Sequence, residues 1–233
     1  MIRRLLCALA VVSVIAIAVA QIETPRTTPI PAAQDDATMA AKHGKATAVF
    51  AGGCFWGTQA VFERVKGVIS TAAGYSGGSA GTANYADVSA ETTDHAESVE
   101  VVYDPSRLTY GQLLRVFFTI HDPTTLNRQG PDSGTSYRSA IFYANDDQKG
   151  VAAAYIKQLT DDHAFTDPIV TSLEPLHGFY PAEDYHQDFA VLHPSYPYIV
   201  YNDAPKVENL KRLFTAEYRD MPVTVMASSK PTQ

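Results

Sequence analysis

The stretch Val49-Phe50-Ala51-Gly52-Gly53-Cys54-Phe55-Trp56-Gly57 decides how this chain is read. An apolar run, taken as a strand over residues 46–51, ends in a Gly-Gly turn. A helical pattern follows over residues 55–66 and stops at Gly67. Cys54 stands at the junction, beside the free N–H groups and the positive dipole end of that helix. Such a place favours a thiolate, the nucleophilic form of cysteine. The glycines let the backbone turn tightly and leave the cysteine open to approach. Phe55 and Trp56, the only tryptophan, supply apolar walls. The competing reading of Cys54 is a buried structural thiol, because free cysteine packs well as a small hydrophobe.

Working outward, residues 68–73 read as a strand leading into the glycine-rich loop Gly74-Tyr75-Ser76-Gly77-Gly78-Ser79-Ala80-Gly81. That loop lacks the spacing of a phosphate cradle. Residues 97–103 alternate, with Val99 and Val101 on one face, and read as a strand ended by Pro105. Thr109 is placed to cap a helix over 110–121. Residues 122–136 form a long polar loop, a length that in compact domains usually carries function. A strand over 138–144, a helix over 147–160 capped by Asp146, and a fifth strand over 169–173 follow. The remainder is rich in Tyr, His and Pro, with helical pieces near 183–190 and 205–214. The order strand–helix–strand–strand–helix–strand is that of a split βαβ unit. The expected fold is therefore α+β, a two-layer ferredoxin-like sandwich with helices on one face and a loop-rich C-terminal extension.

The chain has 233 residues, enough for one substantial core. Its net charge of −7 argues against general nucleic-acid binding, which needs cations to neutralise phosphates. Arg3 and Arg4 precede an apolar run over 5–20, and Ala18-Val19-Ala20 fits a cleavage site before Gln21. Residues 1–20 thus read as a secretory signal peptide, the run being short for a membrane span. An uncleaved leader that anchors the chain in a membrane is the alternative. Residues 21–44, rich in Pro, Thr, Ala and Gln, read as a disordered linker. The catalytic domain is expected over 45–217 and a flexible tail over 218–233. Of the two cysteines, Cys7 falls in the leader, so a mature exported chain would keep Cys54 alone. A lone thiol in such a protein is either buried or reactive.

Other residues invite chemistry. His95 and Glu97 lie two apart at a strand start, hence on one face. An H-x-E pair opens the zinc deaminase signature, but the later P-C-x-x-C is missing, and one cysteine with His95 and Glu97 is a weak metal site. No metal or cofactor is expected. His95 reads as a surface loop residue. Glu97 opens an apolar strand, where partial burial raises a carboxyl's affinity for its proton and suits it to proton delivery. The loop Asn127-Arg128-Gln129-Gly130-Pro131-Asp132-Ser133-Gly134-Thr135-Ser136-Tyr137-Arg138 is dense in hydrogen-bonding groups, and Tyr85 is a polar aromatic residue of the same kind.

Gly53-Cys54-Phe55-Trp56-Gly57, Gly74-Tyr75-Ser76-Gly77-Gly78, Asp94-His95-Ala96-Glu97, Val102-Tyr103-Asp104-Pro105, residues 121–130, Gly134-Thr135-Ser136-Tyr137-Arg138-Ser139 and Ala182-Glu183-Asp184-Tyr185-His186-Gln187 occur here in one order and spacing. Together they resemble the A-type peptide methionine sulfoxide reductases, which act on the S epimer of methionine sulfoxide. The resemblance implies a nucleophile at Cys54, a methyl-binding aromatic pair at Phe55 and Trp56, and an acid at Glu97. It places the family's loop aspartate on Asp132 and its two active-site tyrosines on Tyr85 and Tyr137. A carboxylate close to Cys54 opposes ionisation while the helix terminus favours it, so thiol and carboxyl are expected to share a proton and titrate as a pair.

The chain departs from many members of that family in one respect. No cysteine follows Cys54 to resolve a sulfenic acid as an internal disulfide. Regeneration then falls to an external thiol: a thioredoxin-like protein, a glutaredoxin or a small thiol. The expected protein is an exported monomer in a bacterial periplasm.

Overall fold

The computed structural model describes residues 29–225. The expected leader at 1–20, the first part of the expected linker and the last residues of the expected tail lie outside the described residues. The elements in chain order are β1 (Ala46–Gly52), α1 (Phe55–Phe62), β2 (Val68–Ser76), α2 (Tyr85–Ser89), β3 (Ala96–Tyr103) and α3 (Tyr110–Ile120). A two-residue hairpin, β4 (Arg128–Gln129) and β5 (Asp132–Ser133), is followed by β6 (Ser139–Tyr143), α4 (Asp146–Asp161), β7 (Ser172–Pro175), β8 (Phe179–Pro181), α5 (Phe189–Leu192) and α6 (Ala204–Leu213).

The main sheet has six strands in the order β7-β6-β1-β3-β2-β8. All neighbours pair antiparallel except β6 and β7, which are parallel. The fold is mixed α+β. β1 is central, and its alternation divides the core. Ala48 and Phe50 point to the helical side with Val99, Val101 and Ile141. Phe50 stacks there on Phe117 at 5.0 Å and on Phe62 at 5.4 Å between ring centroids. Val49, Ala51, Ala140 and Phe142 form a smaller cluster on the other face, covered by Leu176 and Phe179. A one-residue slip would exchange these two sets, so the register is strongly specified. That register sets Phe50 opposite Val99, Gly52 opposite Ser139 and Tyr75 opposite Glu97. The end of β1 and the starts of α1, β3 and β6 therefore meet at one end of the sheet.

Several sequence expectations need correction. Residues 29–44 are not a disordered linker but a strap laid on α3 and α4. Ile30 is 2% exposed, the Arg115 side chain donates to its carbonyl, and the Tyr155 hydroxyl donates to the Pro31 carbonyl. Asp36 accepts from the Thr109 hydroxyl and from the Gly111 N–H, adding a charged cap to a helix already closed by a Thr109–Gln112 capping box. Polar composition suggested disorder, but these backbone groups find partners only in the tertiary fold. Residues 218–225, part of the expected flexible tail, are likewise tied down. Arg219 donates to the Val65 and Val68 carbonyls, and the Val223 N–H to that of Glu63. The cap of α4 is Asn145, whose side chain accepts from the Gln148 N–H, so Asp146 is inside the helix. The fifth strand lies at Ser172–Pro175, and α1 ends at Phe62. The helical piece expected near 183–190 is a 3-10 turn, Asp184–His186, followed by the four-residue α5.

Replacing Asp36 by Ala removes two hydrogen bonds to the start of α3. It should lower stability by about 1–2 kcal/mol, read as a lower urea midpoint with an unchanged denaturant slope.

Candidate active site

Cys54 occupies the N-cap position of α1, reached through Gly53 at φ +85°. A side chain on Gly53 would also strike Gln129, its Cβ lying 2.4 Å from that residue's Cβ. Glycine is thus demanded twice, by the backbone and by the packing. Beneath the turn, the register of β3 directs Glu97 to the helical side of the sheet. The Phe55 N–H donates to Glu97 Oε2 at 3.0 Å. This helix has no side-chain cap of its own at Cys54; Glu97 supplies the partner from across the sheet.

Burial rules the electrostatics here. Cys54 is 7% and Glu97 5% exposed. Burial pushes the Cys54 thiol well above its ordinary range, and the Glu97 and Asp203 charges push the same way. Lys206 and the Trp56 N–H pull against them without prevailing. The helix terminus alone therefore does not make a thiolate, contrary to the first sequence reading. Glu97 is pushed up to about 8, chiefly by burial; the Phe55 N–H opposes this, and Asp132, Asp203 and Glu91 reinforce it. Near neutral pH both groups hold protons.

The other expected residues converge on this pair. Tyr137, half-buried, precedes β6, and its phenol is raised by burial and then by the charges of Glu97, Asp132 and Cys54. Tyr85 is the first residue of α2 rather than a loop residue, and it too is raised by burial, Glu97 and Cys54. Asp132, on β5, bonds the Tyr198 hydroxyl; burial raises it and that bond partly offsets the rise. Trp56 is half-buried, stacks on Phe189 at 3.9 Å, and donates from Nε1 to His186 Nδ1 at 3.2 Å. Phe55 is 1% exposed and packs on Tyr75 and His186, so its ring belongs to the core beneath the site.

His95 is not a surface residue. It is completely buried, accepts at Nδ1 from the Gly78 N–H, and meets the Ser79 carbonyl at 2.9 Å through Nε2. Its role is to hold the glycine-rich loop. The long polar loop is held by Gln129, which bridges both backbone groups of Asp122, and by Glu91, which accepts from the Thr135 hydroxyl, the Ser136 N–H and the Ser136 hydroxyl. Tyr198, Asp203 and Lys206 escaped the sequence reading. Pro205 marked the start of a helix, but nothing local showed that the residues around it fold back onto Cys54.

The family model described as peptide methionine sulfoxide reductase matches residues 46–218. The chain belongs to the peptide methionine sulfoxide reductase family. Peptide methionine sulfoxide reductase MsrA 2 of Mesorhizobium japonicum is 58% identical over 187 residues, covering 80% of this chain and 96% of that one. The MsrA 2 protein of Synechocystis sp. is 54% identical over 178 residues, covering 76% and 81%. Among solved structures, reduced Mxr1 from Saccharomyces cerevisiae is similar with a TM-score of 0.59 and 34% identity, covering 70% of this chain and 92% of that one. Methionine sulfoxide reductase A of Corynebacterium diphtheriae gives 0.58 and 32%, covering 75% and 88%.

The Glu97 carboxyl keeps its proton in the folded chain up to about pH 8, whereas an unfolded one loses it near 4.5. Unfolding therefore releases a proton across that window, and stability falls as pH rises through it. Glu97→Gln removes this dependence. Relative to wild type it should gain about 1 kcal/mol per pH unit between pH 5 and 8, measured by urea unfolding at a series of pH values.

Proposed function

We propose that this chain reduces the S epimer of methionine sulfoxide, in proteins and free, to methionine, repairing oxidative damage through a sulfenic acid on Cys54. The observation that carries the reading is the protonated Glu97 carboxyl set beside a buried thiol under the first turn of α1. Sulfoxide oxygen leaves sulfur poorly until it is protonated. Glu97 is the only buried acid aligned with the Cys54 turn by a direct backbone hydrogen bond among the described residues. Tyr85 and Tyr137 keep their phenolic protons and donate to the oxygen as negative charge develops on it. Asp132 orients Tyr198 and water at the same edge rather than donating a proton. The substrate methyl rests on Trp56, with Phe55 supporting from below.

In the reaction the Cys54 sulfur, as thiolate, attacks the sulfoxide sulfur while Glu97 protonates the oxygen. The sulfur–oxygen bond of the substrate breaks, and the hydroxyl ends on Cys54. Methionine leaves reduced by two electrons, Cys54 is oxidised by two, and the proton given up by the thiol restores Glu97. Two equivalents of an external thiol then return Cys54 to the thiol by way of a mixed disulfide and release one water. A thioredoxin-like protein, a glutaredoxin or a small thiol serves, because the chain has no cysteine after Cys54.

Three wider readings belong to the same proposal. The four strands β6-β1-β3-β2 form a ferredoxin-like core; their order, their antiparallel pairing and the α1 and α3 crossovers support it. Export to a bacterial periplasm rests on the basic, apolar and small-residue pattern of residues 1–20. A monomer is the expected state.

The test is stoichiometry without reductant. Each diastereomer of a blocked methionine sulfoxide is mixed with reduced enzyme, and methionine is quantified. One methionine per enzyme from the S form, and none from the R form, is expected. Cys54→Ser should yield none while still folding, and Glu97→Gln should slow the single turnover by about 100-fold or more. A Cys54→Ser variant that still produces methionine would remove the mechanism.

A further inference from the structure

Asp203 closes a π-helical turn, Ile199–Asp203, and Lys206 lies in the first turn of α6. The Lys206 ammonium donates to Asp203 Oδ1 at 3.2 Å. The Asp203 side chain is inaccessible and that of Lys206 is 16% exposed. The pair lies against Gly57. A Cβ on Gly57 would stand 2.1 Å from Asp203 Oδ1 and 3.0 Å from Lys206 Nζ, so a side chain there would displace the ion pair. Gly57 is three residues after Cys54 at the helix start, which puts the two on neighbouring surface of α1. The second Asp203 oxygen is buried without a hydrogen-bond partner. A pair so buried adds little net stability over apolar residues of the same volume, so folding alone does not account for it.

We propose that Lys206, held by Asp203 against the first turn of α1, is the positioning cation for the anionic form of the Cys54 sulfur. The groups facing that sulfur are Glu97 from β3, Asp203 and Lys206 from the C-terminal extension, and the phenols of Tyr85, Tyr137 and Tyr198. Among the described residues, Lys206 is the cation that counters them. Burial acts to lower its own proton affinity, but the charges of Asp203, Cys54 and Asp132 and the bond to Asp203 together outweigh burial and raise it. The Cys54 sulfur is an anion twice in a turnover. It attacks the sulfoxide as thiolate. It departs as thiolate when a second external thiolate attacks the mixed disulfide at the sulfur of the first, forming that reductant's disulfide and breaking the bond to Cys54. A better-stabilised leaving thiolate departs faster, which bears directly on a chain with no cysteine following Cys54.

The inference rests on Cys54 as the reacting thiol, and its test uses no sulfoxide, so its failure is separable from failure of the proposed activity. The whole protein is alkylated with iodoacetamide across pH, and modification is followed on the peptide that contains Cys54. Lys206→Met should shift the profile upward by about one pH unit, a rate about tenfold lower on its rising limb. Lys206→Arg should stay near wild type. Asp203→Asn removes a repelling charge while the cation remains, and should shift the profile downward. A purely structural pair would move Lys206→Met and Asp203→Asn in the same direction. That result, or a Lys206→Met profile superimposed on wild type, overturns the proposal. Should Lys206→Met fail to fold, Asp203→Asn decides, and an unshifted profile there overturns it equally.

Discussion

The hydrogen bond from the Phe55 N–H to Glu97 is the constraint on which the rest depends. It fastens the start of α1 to the start of β3 across the sheet, and it exists only because β1 and β3 pair in the register that sets Phe50 opposite Val99. The same bond consumes one of the free N–H groups that would otherwise act on Cys54. The Trp56 N–H remains for the sulfur. An acid and a thiol brought together in so little water cannot both ionise, and here burial keeps both protonated. The result is a site whose thiol and carboxyl both rest in their protonated forms.

Much of the polar sequence around the site works by placement rather than by contact with substrate. His95 holds the glycine-rich loop, Glu91 holds the turn before Tyr137, and Gln129 packs under Gly53. Arg138 pairs with Glu174 through two 3.1 Å contacts and also donates to the Asp94 carbonyl, linking β6, β7 and the loop before β3. Gln187 bonds both backbone groups of Ala73 on β2, and Glu183 accepts from the Tyr75 hydroxyl and the Tyr85 N–H. The C-terminal extension is thereby stitched to the edge of the sheet. Groups held from several directions lose little freedom on binding substrate, which is the physical meaning of a preformed site.

That extension is also where the chain differs most from a bare sheet-and-helix domain. It lays Phe189 on Trp56, Tyr198 on Asp132, and the Asp203–Lys206 pair on the first turn of α1. The extension thereby surrounds the thiol with packing and charge.

The order of the four central strands with α1 and α3, the junction at Cys54, and a carboxyl at Glu97 suited to partial burial were legible in the sequence. Each is local: an apolar alternation, a Gly-Gly turn, a carboxyl at the head of an apolar strand. The family pattern located Tyr85, Asp132 and Tyr137 without showing what holds them. Tertiary structure alone decided the rest. The strap at 29–44 is tied to α3 and α4, and residues 218–225 to the end of α1 and the start of β2, so local composition misled. His95 is buried because its partners lie in the loop over 77–79, which sequence spacing does not reveal. The protonation of Cys54 and Glu97 follows from how much water the closed fold excludes, and Lys206 reaches the site only because α6 returns to α1. Covalent neighbours determine where a thiol sits on a helix; the dielectric and the charges around it are supplied by residues distant in sequence, Glu97, Asp203 and Lys206 among them.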